Sequence, residues 1–219
     1  MNFKLETLNS KLQLKDIVIV GAGGFGRETA LMVNQMHTWN LLGFYDDGLQ
    51  PGTIVEGKPV LGNVSSLNEN HNQVAVVIAI ADPSTRQRIA FSLSNKKLSF
   101  PSIFHPTVLS GHMSNSFGKG CIMTAGVILT TGITIGDFVI VNLATTVGHD
   151  AHIADFTSIM PQCSISGNVK LGTKCFLGSG TRILQGITIG DNSIIGAGAV
   201  VTKSFGDHSK LMGIPATNK

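Results

Sequence analysis

The sequence predicts an α/β Rossmann-like unit followed by a parallel β-helix of hexapeptide repeats. Two observations carry this. From Ile135 to Val201 an aliphatic residue falls on every sixth position: Ile135, Val141, Val147, Ile153, Ile159, Ile165, Leu171, Leu177, Ile183, Ile189, Ile195 and Val201. With 42% hydrophobic residues, twelve successive hits have a chance of roughly 3 × 10⁻⁵ in one register. Six matches neither the helical repeat of about 3.6 nor strand alternation, and it marks stacked short strands turning around a prism. The second observation lies upstream, where an apolar run, Asp16 to Val20, leads directly into Gly21-Ala-Gly23-Gly24-Phe-Gly26 and a helical stretch. Strand, glycine turn and helix in that order begin a nucleotide-binding α/β unit.

Composition agrees. Charged residues are 13% of the chain, against about 25% in an average soluble protein, and the 26 glycines exceed the usual share of about 7%. The net charge of +3 is dispersed with no basic run, which argues against a nucleic-acid or membrane-surface partner. No stretch reaches the roughly 20 apolar residues of a membrane span. Lys4, Glu6, Lys11 and Lys15 stand where a signal peptide needs an apolar core, so a cytoplasmic protein is expected.

In chain order, residues 1–15 read as an N-terminal extension with Phe3, Leu5, Leu8 and Leu12 loosely on one side of a helix. Residues 16–104 form the α/β unit. Its first helix runs to about Met36, and a second strand, Leu41 to Tyr45, ends at Asp46-Asp47. An acid about 20 residues past the last glycine can meet a ribose or base. A loop with Pro51, Gly52, Gly57 and Pro59 precedes the all-apolar strand Val74 to Ile80. Asp82-Pro83 supplies an N-cap and a first-turn proline to a helix through about Ser94, and Leu98 to Phe100 is a last short strand. With room for one mononucleotide half only, the unit suits a single nucleotide better than NAD. The alternative is that the glycines merely let a helix pack close on a strand.

Residues 105–219 form the β-helix. Phe117 to Val200 gives fourteen units of six, nearly five coils of three strands. Cys121, Cys163 and Cys175 occupy the fifth place of the unit, elsewhere filled by Thr145, Ala151, Thr157, Thr181, Ser193 and Ala199, and so read as small core residues. Against this background His149, in Val147-Gly148-His149-Asp150, falls on an outward turn position. An imidazole there suits a general base that takes a proton from an amine or hydroxyl, and Asp150 can orient it. A solvated His beside a solvated Asp is the plain alternative. A metal site at His149, Asp150 and His152 needs help from another subunit, because neighbouring strand residues point to opposite sides.

The segments "VIVGAGGFGRE", "GFYDD", "VGHDAHIADF", "ISGNVKLG", "ILQGITIGDNSIIGAGAVVTK" and "GIPA" resemble, in order, the bacterial sugar acetyltransferases of sialic acid and bacillosamine biosynthesis. The likeness spans about residues 16–217. It implies a left-handed β-helix, a homotrimer, acetyl-CoA lying between adjacent β-helices, and a nucleotide-sugar substrate. It further implies His149 as general base with Asp150 as its partner, and Gly167 as backbone donor to the thioester oxygen. Gly21, Gly23, Gly24, Gly26, Asp46 and Asp47 match the nucleotide-sugar site. Ser158 stands where some members carry a second His that contacts the sugar. The closing Gly213-Ile214-Pro215-Ala216 is followed by Thr217 where Arg or Lys is common, so one phosphate contact to coenzyme A is either absent or supplied by Lys203 or Lys219. The function expected is acetyl transfer to a nucleotide-linked amino sugar, with no metal. Two rivals are a metal-dependent hydratase resembling the gamma-type carbonic anhydrases and a non-catalytic nucleotide-sugar sensor.

Overall fold

The computed structural model describes residues 14–111 and 114–219, so the proposed helix of the N-terminal extension lies outside the described residues. The first sheet is built from β1 (Lys15–Val20), β2 (Trp39–Tyr45), β3 (Ile54–Val55), β4 (Lys58–Gly62), β5 (Val74–Ile78) and β6 (Leu98–Ser99). Their order across the sheet is β3-β4-β2-β1-β5-β6. All pairings are parallel except the β3–β4 hairpin. Helix α1 (Gly24–Met36) links β1 to β2, and α2 (Pro83–Ser92) follows β5. β1 and β5 are all but fully buried from Ile17 to Val20 and Val74 to Ile78, as their unbroken apolar runs require. Asp82 caps α2 by accepting from the Thr85 N–H at 2.7 Å, with Pro83 in the first turn.

The β3–β4 hairpin and a 3-10 turn over Val64–Glu69 occupy the segment that sequence reading gives to a loop. Pro59 disguised the strand; it sits on the edge hairpin, opposite Ile54, where its missing donor is tolerated. Glu56 and Gly57 both take positive φ, 47° and 73°, the requirement of a two-residue hairpin turn.

From Ile103 onward the chain winds into three sheets, parallel throughout except for the final strand, Thr217–Asn218, which pairs antiparallel with Lys210–Met212. Through the middle of the prism each six-residue unit gives one two-residue strand paired with the strand 18 residues on: Val147 faces Ile165, Ile165 faces Ile183, and Ile183 faces Val201. Every aliphatic of the series Ile135 to Val201 is at most 2% exposed, so the six-residue period is the interior column of the prism. The first coil begins earlier than the count from Phe117, at Ile103–Phe104 and Leu109–Ser110. A seven-residue step to Ser116–Phe117 breaks the period there.

One sheet of the prism is covered by the α/β unit. Ile103, Ile122 and Ile140 point out of the prism and join the core of Ile17, Ile19, Val33 and Phe44. This explains the continuous apolar run Val139-Ile140-Val141, buried on both faces. At the adjoining edge Phe138 and Phe156 stack at 5.2 Å and 7°, with Phe100 and Phe91 meeting them edge-on.

Candidate active site

His149 and Asp150 sit in the turn after Thr146–Val147, with side chains 49% and 59% exposed. Their contact is direct: Nδ1 of His149 lies 2.8 Å from Oδ2 of Asp150. The αL backbone of Asp150, φ 58°, makes this possible by turning the chain sharply after His149; Asp is among the residues that tolerate it. An ionised carboxylate only accepts, so this pair places the imidazole proton on Nδ1 and leaves the lone pair on Nε2.

The imidazole rests on Gly167, the residue 18 positions on. A Cβ built at Gly167 would lie 2.7 Å from Cε1 and 2.8 Å from Cδ2 of His149. No side chain fits under the ring. The Gly167 N–H has no protein acceptor, a condition it shares with the N–H groups of Thr131, His149 and Gln185 in the same column among the described residues. At another corner the turn N–H is taken by a carboxylate one coil on: Lys119 N by Asp137, Asp137 N by Asp155, Thr173 N by Asp191, and Asp191 N by Asp207, at 2.7–3.0 Å. One coil on from Gly167 stands Gln185, and among the described residues nothing accepts from the Gly167 N–H. A backbone donor beside a basic nitrogen is thus left open to a ligand oxygen.

The register continues this column upward. His149, Gly167, Gln185 and Lys203 hold the same turn position in four successive coils, so Lys203 stands about 14 Å from His149 at roughly 4.8 Å per coil. The turn with Pro215 closes on the same end, since Val200 N–H donates to Gly213 and Ala216 N–H donates to Val200.

Ser158 is a correction to the sequence reading. It is fully buried on the sheet covered by the α/β unit, with its hydroxyl donating to Ala81 O at 2.7 Å and accepting from Arg86 Nη2 at 2.9 Å. Both partners come from the α/β unit, so no substrate reaches it. The resemblance to the sugar acetyltransferases suggests this position by spacing, but spacing along a β-helix does not reveal which sheet a second unit covers.

In the α/β unit the four turn glycines divide. A side chain at Gly21 would strike Ile80 Cδ1, 2.7 Å away, and one at Gly26 would run into the carbonyl of Gly21; these two allow the helix to pack tightly. Gly23 and Gly24 face open space at the start of α1, where Gly23 offers no side-chain cap and the first N–H groups stay available to an anion. A cleft of about 430 Å³ lies there, lined by Ala22, Gly23, Arg27, Ile54, Val55 and Glu56. Sequence reasoning passed over Arg27 as a site residue, although it stands in the first turn after the glycines. Asp46 braces the turn, accepting from Ala22 N and Gly48 N at 2.8 Å, while Asp47 accepts from Val64 N at 2.8 Å.

The three cysteines are buried and free. Burial pushes the thiols of Cys163 and Cys175 up to about 11 and raises that of Cys121, so the thiolate is disfavoured at neutral pH and rises only above it. Iodoacetamide at pH 8 should leave all three intact in the folded protein and alkylate them in denaturant, as read by mass spectrometry. Among the described residues no group of three or more His, Cys, Asp or Glu side chains is placed to hold a metal ion, and no helix is long and apolar enough to cross a membrane.

Comparison with known proteins places both units. The family described as PglD N-terminal domain matches residues 16–93, and that described as bacterial transferase hexapeptide (six repeats) matches residues 168–203. GDP-perosamine N-acetyltransferase of Escherichia coli O157:H7 is 34% identical over 186 residues, covering 82% of each chain. PerB of Caulobacter crescentus, solved with CoA and GDP-perosamine, superposes with a TM-score of 0.87 at 29% identity, covering 93% of this chain and 97% of that one. The acetyltransferase domain of PglB from Neisseria gonorrhoeae FA1090, solved with acetyl coenzyme A, gives 0.88 at 29% identity, covering 94% and 100%. The two-unit architecture, the repeat and the full-length likeness agree: the chain belongs to the hexapeptide-repeat sugar N-acetyltransferases with a PglD-type N-terminal domain, the family of GDP-perosamine N-acetyltransferase.

Proposed function

We propose that the protein transfers an acetyl group from acetyl-CoA to the amine of a nucleotide-linked amino sugar, with His149 as general base. The observation that carries this is the His149–Asp150 pair at 2.8 Å, seated on a glycine whose N–H has no partner among the described residues. Nε2 takes a proton from the attacking amine as its nitrogen bonds to the thioester carbon. The Gly167 N–H donates to the carbonyl oxygen as negative charge grows there. The tetrahedral adduct collapses with cleavage of the carbon–sulfur bond, and the His149 imidazolium returns its proton to the leaving sulfur, so that coenzyme A departs as thiol. With the cysteines buried and their thiols raised, the acetyl group passes directly between substrates and no acyl-enzyme is formed.

Coenzyme A would lie along the corner from Gly167 towards Lys203 and the Pro215 turn, with Lys203 meeting its phosphates. The open N–H groups at Gly23 and Gly24, with Arg27, would hold the diphosphate of the sugar nucleotide. Relatives support this reading: the Caulobacter crescentus perosamine N-acetyltransferase was solved with CoA and GDP-perosamine, and also as variants with one histidine replaced by asparagine or alanine. An exposed corner offers no walls of its own, so a homotrimer in which a neighbouring copy closes the cofactor groove completes the site. Leu109, Ile128 and Leu184, exposed on or beside the sheet that carries Val147, suit such a contact.

The test is a panel of GDP-, UDP- and dTDP-linked amino sugars incubated with acetyl-CoA, read by thiol release. Turnover with at least one is expected, and a stoichiometric N-acetyl product by mass spectrometry. No thiol release with any of them sinks the assignment.

A further inference from the structure

Arg86, on α2, is fully buried yet makes no ion pair among the described residues. Its guanidinium is satisfied instead by five carbonyls and one hydroxyl. Nη1 donates to Ile80 O at 2.6 Å and Ala81 O at 3.1 Å. Nε donates to Phe138 O at 2.9 Å. Nη2 donates to Phe156 O at 2.6 Å, Thr157 O at 3.4 Å and Ser158 Oγ at 2.9 Å. Burying a cation with no counter-ion is costly, and burial draws its pKa down to about 10, which still leaves it charged at pH 7. A residue needed only to fill space would be cheaper as an apolar one.

The partners identify what the charge is for. One turn of the prism runs from Ile140–Val141 through Thr146–Val147 and His152–Ile153 to Ser158–Ile159. It is the coil that carries His149 and Asp150. Phe138 lies at its start and Phe156 to Ser158 at its end, so a single rigid fork grips that coil at both ends. The fork's remaining nitrogen holds the carbonyls of Ile80 and Ala81, and Ile80 is the residue on which Gly21 of the nucleotide turn is seated.

We propose that Arg86 is a positioning residue for acetyl transfer, fixing the spacing between the nucleotide-binding turn and the coil of the base. The proposal rests on the function proposed above. It holds whether the sugar reaches His149 of its own chain or of a neighbouring copy, because either way the glycine turn is placed relative to this coil. Group transfer is sensitive to such spacing, with a misplacement of about 1 Å able to cost 10²-fold in rate.

The test compares the wild type with Arg86→Lys, which keeps the charge and loses the fork. Three readouts are taken: kcat for the preferred sugar nucleotide, Kd for its free nucleoside diphosphate, and Kd for coenzyme A. The expected result is a kcat lowered tenfold or more with both dissociation constants within about twofold of wild type, since each half-site is intact and only their spacing has changed. Either dissociation constant rising in step with the loss of kcat shows that Arg86 merely supports the fold and overturns the proposal. So does an unchanged kcat. Should Arg86→Lys fail to fold, Ser158→Ala removes one of the six bonds and takes the same measurements, with a smaller fall in kcat at unchanged affinities expected and an unchanged kcat overturning the proposal. A wild-type protein that acetylates no sugar nucleotide overturns the underlying function and this proposal with it, a result distinct from those of the variants.

Discussion

Replacing His149 by alanine should lower kcat by about 10²-fold or more, the usual consequence of removing a general base, with coenzyme A affinity and melting temperature nearly unchanged. Stability should be spared because the side chain is half exposed and its one side-chain hydrogen bond is to an exposed neighbour; such surface changes usually stay within about 0.5 kcal/mol. Asp150→Ala tests the other half of the pair. Without the carboxylate nothing holds the proton on Nδ1, so part of the imidazole population presents N–H rather than a lone pair to the amine. A fall in kcat smaller than that of His149→Ala is expected, and the double variant should be no worse than His149→Ala alone. A His149→Ala enzyme with wild-type kcat removes the base from the mechanism.

The legibility of this molecule follows which residues are fixed by one interaction and which by several. The interior aliphatics need only face inward every sixth residue, so their column is visible in the sequence and the structure buries every member. His149 is legible as the exception in an outward place. The earliest coil is hidden because a seven-residue step separates Leu109–Ser110 from Ser116–Phe117. Contacts between the two units are the least legible. Ser158 is hydrophilic and occupies an outward place like Ser164 or Thr146, and only the α/β unit packed over its sheet makes it a buried hydrogen-bonding residue. Arg86 stands two residues from a second arginine on the same helix, and nothing in the sequence singles it out. Its neighbour Arg88 lines an open cleft beside Asp47 and Asn68, whereas Arg86 turns inward, and local pattern does not distinguish them. The glycine turn is legible as a motif but not in its division of labour, since only the packing around each Cα distinguishes Gly21 and Gly26, which are crowded, from Gly23 and Gly24, which face space.

Gly167→Ala should be nearly as damaging as loss of His149, with kcat reduced by about 10²-fold or more and little change in melting temperature. The added methyl would stand 2.7–2.8 Å from two ring carbons of His149, closer than carbon atoms approach. Backbone on both sides of Gly167 is pinned, by Ser166 N to Ile183 O and Asn168 N to His149 O, so the imidazole must swing away instead. A side chain at the surface moves at small cost to stability, but moving it breaks the 2.8 Å contact with Asp150 and takes Nε2 off its line to the amine. The methyl also crowds the open N–H. The two effects separate in a double-mutant cycle. If Gly167 acts only by making room for the ring, Gly167→Ala in a His149→Ala background costs nothing further, because no ring is left to displace. If its N–H also stabilises the developing oxyanion, the double variant is slower than His149→Ala by the share that belongs to the donor. A Gly167→Ala enzyme with wild-type kcat would contradict both roles, since the packing of His149 on this residue leaves no third way for the methyl to be accommodated without moving the ring.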